Sequence, residues 1–501
     1  MMKNKLFIFI TLLYKTTFSQ SSIGFIDNYS GVQSVIYNPA NILDTQYKYD
    51  INIISLSGSI GNEYLSVNPF KIINDLNFGL NDIKPTYSAF KYNRQLSSRF
   101  GIKNLNDYTI SSKSSSNRNA YGNFTALGPS FLWTIDKYNA VAFTTAIKSY
   151  GHAFKLNTLL YDNITNNIYA NTSFNSEDDL QNFKDNLEIT PRNYSQAFLW
   201  AETGFSYAGI VKHTANDFLK LGLSVKFLRG IRTGAIYSNN LNLDFQFNED
   251  EPKESTLDFK GNVTNLYALK GANFGMGLDF GFVYEKRNKT FPINLRDKKG
   301  NIYFSKVPYS YKIGISITDL GFLKYNYVYT NEKNPNVINI DLTSPNYSFN
   351  IKDYLAVNSS ETVNKTYLLP TTARVNFDYN ISPKFYLNTN LDIFMLANDK
   401  IKNIQYITNL VMSPRYESKE FSAFLPMTIN KFGIFKAGIG FRTGYFFVGS
   451  SSVFTNLTNN SKEGDFFIGI KVPIYNKKVI RQYKNSLHYQ LIPTPRIKSR
   501  R

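Results

Sequence analysis

The sequence predicts an all-β fold, a transmembrane antiparallel β-barrel of about 14 strands within a range of roughly 12 to 16. Three observations carry that expectation. Ten or more stretches alternate apolar and polar residues with a period of two. In one of them Leu219, Leu221, Leu223, Val225 and Phe227 point one way, and Lys220, Gly222, Ser224 and Lys226 the other, because successive side chains of a strand face opposite sides. The N-terminus carries an export signal, and no later stretch is a run of roughly 18 apolar residues of the kind that marks a spanning helix. Short turns alternate with long loops along most of the chain, as they do in outer-membrane barrels.

Residues 1–19 read as a signal peptide. Lys3 and Lys5 form its basic end, Leu6 to Tyr14 its apolar core, and Thr17-Phe18-Ser19 places small residues before the cut expected after Ser19. That core is far shorter than the ~20 residues of a membrane anchor. Residues 20–47 form an N-terminal segment, periplasmic or lodged in the lumen as a plug, with a turn-forming cluster at Tyr37-Asn38-Pro39-Ala40-Asn41. The barrel is expected over 48–473, and a basic tail over 474–501.

Strand one is expected near Lys48 to Gly58, followed by a long polar loop over 68–118. Strands near Ala120 to Thr134 and Ala140 to Tyr150 flank the short turn Asp136 to Asn139. A second long loop covers 155–192, and its Asn175 to Asp179 start suits a helix opening. Strands near Tyr194 to Val211 and Phe218 to Phe247 follow, around the turn Thr214 to Asp217. Phe274, Met276, Leu278, Phe280 and Phe282 then oppose Gly275, Gly277, Asp279 and Gly281. Ile313, Ile315 and Ile317 oppose Lys312, Gly314 and Ser316 after a charged excursion, Lys286 to Gly300. A third long loop spans 329–366. Alternating pairs resume around the turn Asn380 to Pro383, and further strands are expected near 404–414, 421–429, 434–455 and 464–473. With the mature N-terminus in the periplasm, the three long loops are external. Trp133, Tyr138, Phe218, Tyr379 and Phe385 lie beside the short turns, where an interfacial girdle belongs.

Composition agrees. Hydrophobic residues are 43% and aromatic residues 16% of the 501, yet mean hydropathy is negative, because a barrel sets a polar residue beside each apolar one. A soluble β-sandwich or propeller packed inward is the competing fold, since alternation alone does not separate lipid from core. The Gly-, Asn- and Ser-rich opposite face, strands longer than the ~5–6 residues usual in soluble sheets and the lack of a blade-length repeat favour the barrel. The absence of cysteine excludes disulfides, thiol catalysis and a lipid-modified N-terminal cysteine. The net charge is +19, with three of the positive charges in the signal and eight in the tail, which holds no acid. Export argues against nucleic acid; anionic headgroups, anionic solutes or an acidic partner fit such a balance.

Catalytic chemistry is not expected. His152, His213 and His488 are dispersed, which argues against a metal site. A membrane-face Ser–His pair would have to combine His152, at the outer end of a strand, with a serine such as Ser149, and a plain polar loop residue is the favoured reading of that histidine. The acidic runs Asp178-Asp179 and Glu249-Asp250-Glu251 lack the glycine-centred spacing of a calcium loop. No cofactor, metal or catalytic residue is assigned. On the polar face, Lys148, Lys220, Lys226, Lys312, Arg374, Lys436 and Arg442 accompany Asp244, Asp279, Asp378 and Asp392. A neutralising lattice of ion pairs is the plainer expectation and a basic conduit for anionic solutes the sharper one. Lys220, Lys226, Arg374, Lys436 and Arg442 are the lumen candidates.

Four segments carry a resemblance: Tyr37-Asn38-Pro39-Ala40-Asn41-Ile42, Ile315 to Tyr325, Leu368 to Tyr379 and Ala437 to Ser451. In that order they resemble a family of uncharacterised outer-membrane barrels of gliding-type Gram-negative bacteria. That family is distantly similar to long-chain fatty-acid transporter barrels and looks like barrel components of the type IX secretion system. The resemblance implies a hatch of Asn38, Pro39 and Ala40 in the lumen, although an ordinary turn before strand one suits them as well. It gives no lipid-pocket residues, and the final strand is followed by a basic tail rather than ending on a terminal aromatic. The resulting expectation is an outer-membrane barrel for passive uptake of small amphipathic or hydrophobic compounds. The alternative is a non-enzymatic scaffold or partner of a protein secretion or surface-assembly system. The partners implied are outer-membrane lipid with a small amphipathic solute or a secretion-system protein, and no nucleic acid.

Overall fold

Neighbouring period-two segments pair in chain order, and the last returns to the first, closing a 14-stranded antiparallel transmembrane barrel. The computed structural model describes residues 27–63, 65–67, 109–111, 117–136, 138–157, 192–214, 216–246, 256–268, 273–287, 295–296, 302–303, 309–333, 338–339, 360–382, 384–396, 404, 406–458 and 461–475. The strands are β1 (Tyr47–Asn62), β2 (Asn117–Leu127 and Ser130–Thr134), β3 (Asn139–Asn157), β4 (Arg192–His213) and β5 (Asp217–Gln246). Then come β6 (Thr256–Ala268 and Phe274–Arg287), β7 (Tyr309–Lys333), β8 (Ser360–Leu368 and Thr372–Ser382), β9 (Phe385–Phe394) and β10 (Asn409–Glu417). The last four are β11 (Phe421–Phe424 and Met427–Asn430), β12 (Phe435–Ala437 and Ile439–Thr443), β13 (Phe446–Ser450) and β14 (Glu463–Tyr475). Closure is the β14–β1 ladder, from Tyr47 opposite Tyr475 to Gly61 opposite Glu463.

The faces are inverted relative to a soluble protein. Lys148, Lys220, Asp279, Asp378 and Lys471 are buried inside, whereas Phe205, Leu221, Leu223, Phe280 and Ile315 are exposed outside. Charged residues are almost never fully buried unless paired, and apolar patches running around a whole surface do not occur on soluble monomers. That arrangement selects the lipid-facing reading over the sandwich. Leu223 and Phe280 sit opposite each other in the β5–β6 ladder. Arginine at either is expected to cost about 2–4 kcal/mol of folding free energy near the bilayer midplane. Urea titration of folding into lipid vesicles measures it, and a cost near zero would contradict the assigned face.

Short turns close one end of the barrel. At one of them the Asp136 carboxylate accepts the backbone N–H groups of Tyr138 (2.7 Å) and Asn139 (2.8 Å), and the Tyr138 bond and the Asn139 side chain hold that carboxyl below the usual range. Aromatic rings gather at this end. Trp133 stacks on Tyr49 at 6.4 Å, His213 lies 5.1 Å from Tyr138, and Arg287 sits 3.4 Å over Phe218. Tyr379 and Phe385 are exposed at the same level.

The wall is uneven in height. β5 runs for 30 residues and β7 for 25, whereas β13 has 5. Beyond the top of β13, among the described residues, Phe435–Ala437 pairs only toward β11 and Glu463 to Phe466 only toward β1. Side chains bridge this seam. Lys436 contacts Glu463 and lies 3.5 Å from Asp465. Asp465 also accepts the hydroxyls of Ser450 (2.9 Å), Ser451 and Ser452 (2.7 Å). A helical turn, Val453–Asn456, follows with Phe454 and Leu457 exposed.

Two expectations about elements need correction. The strand expected from 404 begins at Asn409; Ile404, Tyr406 and Ile407 instead turn into the lumen, where they are buried. The stretch 434–455 is β12, β13 and a helical turn rather than one strand, because Gly444 adopts φ 52° and starts a tight turn. The final strand runs to Tyr475. The signal peptide, the 175–179 helix opening, the runs at Asp178 and Glu249, His488, residues 476–501 and most of the three long loops lie outside the described residues.

Candidate functional site in the barrel lumen

Residues 27–45 fold inside the barrel as two 3-10 turns, Gly31–Ile36 and Pro39–Leu43. Pro39 suits the first position of the second turn because its fixed φ and missing N–H cost nothing there. Asn38 caps that turn, accepting Ala40 N–H at 2.9 Å, while its amide donates to the Phe282 carbonyl at 3.1 Å and the Ile315 carbonyl at 3.4 Å. The seat beneath is glycine. A Cβ on Gly281 would lie 2.1 Å from Asn38 Oδ1 and 2.8 Å from Pro39 Cδ, and one on Gly222 2.3 Å from Ala40 N. On the other side Val32, Val35, Ile42 and Leu43 pack on Leu132, Ala140, Ala142 and Ala208 of the wall.

Charges anchor the segment toward the turn end. Glu417 accepts Asn28 N–H at 2.7 Å and its amide at 2.9 Å. Arg442 lies 3.4 Å from Asp27, and Asp50 accepts Val32 N–H at 2.8 Å. Lys471 donates to the Tyr29 carbonyl and, at 3.1 Å, to the Ser30 carbonyl. Lys220 bridges Asp44 to Glu285, and Lys312 lies 3.4 Å from Asp44. Arg415 binds Asp378 at 2.9 Å and Glu417 at 3.3 Å. Ser316 donates to the Tyr37 carbonyl at 2.6 Å and Arg374 to the Ile36 carbonyl at 3.1 Å.

A second charged layer lies nearer the loop end. Asp319 is 2.7 Å from Lys226 and 3.4 Å from Lys148. Lys226 also meets Asp279 at 2.7 Å, and Lys148 meets Glu202 at 3.0 Å. Asp319 reaches this point because it sits at a bulge in the β6–β7 ladder with φ 57°, a conformation aspartate tolerates better than most residues. Its N–H donates to Asp279 at 2.7 Å, and Thr371 of the interrupted β8 donates to its carbonyl at 2.9 Å.

Above this layer the lumen turns aromatic. Tyr150, Phe198, Trp200, Tyr325, Tyr367 and Tyr406 belong to one buried cluster. Tyr150 stacks on Trp200 at 5.3 Å and meets Tyr406 at 5.5 Å, and Phe198 meets Tyr367 edge-on at 4.9 Å. Ile404 N–H donates to the Leu368 carbonyl at 3.1 Å, tying the inturned β9–β10 connection to β8.

The lumen candidates read from the sequence thus divide among three places. Lys220, Arg374 and Arg442 contact the inner segment, Lys226 lies in the Asp319 layer and Lys436 at the seam. Asn38, Pro39 and Ala40 are together on the glycine seat. Asp44, Glu285, Arg415, Glu417 and Asp319 were not singled out. Glu285 keeps the inward parity of Asp279 and Gly281, and Glu417 that of Ser413 and Arg415, so strand parity was a signal for both. Nothing local marks Asp44. His152 lies toward the outer end of β3 as expected, but it is buried rather than a polar loop residue, its ring 5.0 Å from Phe154. Ser149 lies three positions away on the opposite strand face, so the two do not form a catalytic pair.

An all-β transmembrane barrel with a folded segment of its own chain inside is the class these features define. The chain belongs to a family of unknown function, DUF5723, which matches residues 39–451. No curated protein matches it in sequence. Among solved structures it is similar to the Pseudomonas putida toluene transporter TodX, with a TM-score of 0.41, 8% identity, and 89% of this chain and 95% of that one covered. For the CymD monoaromatic hydrocarbon channel the values are 0.36, 9%, 91% and 95%. For a Pseudomonas aeruginosa FadL homologue they are 0.25, 8%, 89% and 94%.

Proposed function

We propose that the protein resides in the outer membrane and admits small amphipathic or hydrophobic compounds passively, with residues 20–47 serving as its plug. The carrying observation is the layered lumen. A buried aromatic bed lies above charged groups that are already paired. A channel for ions or water gains nothing from such a bed, whereas apolar molecules gain by leaving water for it. Asn38, Pro39 and Ala40 would close the path, and the cations that touch the segment would hold it rather than select anions.

Planar-bilayer recordings of the full mature chain and of a variant lacking residues 20–47 test the reading. The deletion is expected to raise conductance several-fold. Cells expressing the barrel are expected to take up N-phenyl-1-naphthylamine faster than cells without it. Silence in both assays would end this reading. A co-purifying protein lost on deleting 474–501 would then favour the scaffold of a secretion or surface-assembly system.

A further inference from the structure

A cavity lies between the inner segment and the aromatic bed, and small polar side chains and rings interleave along its wall. Ser55, Ser57 and Ser59 of β1 and Asn123 and Thr125 of β2 face it, all small, polar and uncharged. Rings stand directly beside them, with Phe467 of β14 opposite Ser57 and Tyr150 of β3 opposite Asn123 in the ladders, and Tyr37 of the inner segment, Tyr406 of the β9–β10 connection and the acids Asp319 and Asp465 also line the space.

We propose that this cavity binds a neutral single-ring compound bearing hydroxyl groups, a phenol being the simplest. The inference rests on the uptake reading and names the class of solute. Charge excludes the anionic alternative. The cations on the cavity already have carboxylates, with Lys148 at 3.0 Å from Glu202 and 3.4 Å from Asp319, and Arg374 at 3.6 Å from Asp392. An incoming carboxylate would meet those acids as well and would shed its hydration without an unclaimed cation to replace it.

The polar wall disfavours a pure hydrocarbon. Ser59 Oγ is buried and has no hydrogen-bond partner among the described residues. A hydrocarbon against this wall would strip water from hydroxyls and an amide and return no hydrogen bond, a loss that falls on each group covered. A ring with a hydroxyl matches both kinds of group on this wall. Its face packs against Tyr150, already backed by Trp200 at 5.3 Å. Its hydroxyl both donates and accepts, as do the serine and asparagine groups facing it.

Calorimetric titration of the mature protein in lipid nanodiscs, with empty discs subtracted, tests this with three probes of one shape: p-cresol, p-xylene and p-toluate. p-Cresol is expected to bind at least tenfold more tightly than either of the others. Ser59→Ala combined with Asn123→Leu is expected to bring p-cresol within about threefold of p-xylene while p-xylene itself is unchanged, and Ser57→Ala alone to give part of that shift. Heat-modified gel mobility confirms that each variant is folded. p-Xylene or p-toluate binding as tightly as p-cresol overturns the proposal, as does a folded double variant that keeps the tenfold preference. A cresol preference without conductance or uptake would remove the transport reading and leave the binding site. Uptake without the preference would do the reverse.

Discussion

Gly281→Val is expected to unseat the inner segment and raise bilayer conductance toward that of the chain lacking residues 20–47. The cause is steric. Even a Cβ at this position would lie 2.1 Å from Asn38 Oδ1, 2.8 Å from Pro39 Cδ and 2.9 Å from Ala40 N, and two of those atoms belong to a proline ring and a backbone that cannot swing aside. Valine suits a strand, so the wall itself should tolerate the change. Gly277 provides the control. It lies on the same inward face of β6, but the nearest atom to its Cβ would be Leu369 Cδ1 at 3.1 Å, away from the inner segment. Gly277→Ala is expected to leave conductance low. A Gly281→Val channel as quiet as the parent would mean that Asn38, Pro39 and Ala40 do not rest where the geometry seats them.

The second large effect is on stability. Asp319→Asn keeps a residue at ease with positive φ but removes the carboxylate shared by Lys226 and Lys148. Breaking a buried ion pair by deleting one partner costs about 3–5 kcal/mol. Asp279 and Glu202 remain beside the lysines, which places the expected loss at the lower end of that span. Asp319→Ala loses the same charge and adds roughly 1–2 kcal/mol for the left-handed backbone. The order parent, Asn, Ala should therefore appear in equilibrium unfolding by urea from lipid vesicles. Equal stability of parent and Asn variant would show that the layer contributes nothing to folding.

The period of two made the barrel legible because lipid outside and charge inside leave opposite marks on alternate residues. Leu219 to Phe227 states the rule within one strand, and its inward positions Lys220, Gly222 and Lys226 all proved to matter to the lumen. What the pattern does not encode is which inward groups meet across the interior. Lys220 finds Asp44 176 residues earlier, and no local spacing announces that pairing. Gly222 and Gly281 read as featureless gaps in the polar face until the inner segment lies on them. The same limit explains Ile404, Tyr406 and Ile407: an apolar stretch next to β10 reads as more strand until the aromatic cluster that receives it is known.

The mismatch between tall and low walls reaches beyond the protein. Five residues at about 3.3 Å each, tilted as barrel strands are, span well under the ~25 Å band that hydrocarbon asks of such a wall. Around β5 and β7 the surrounding lipids can stay fully extended. Beside β13 they meet a short strip of sheet and, above it, the helical turn Val453–Asn456, set between β12 and β14 with Phe454 and Leu457 exposed. The annulus is therefore not uniform around the circumference: on this one flank a coiled patch of chain stands where strand backbone would otherwise face the acyl tails.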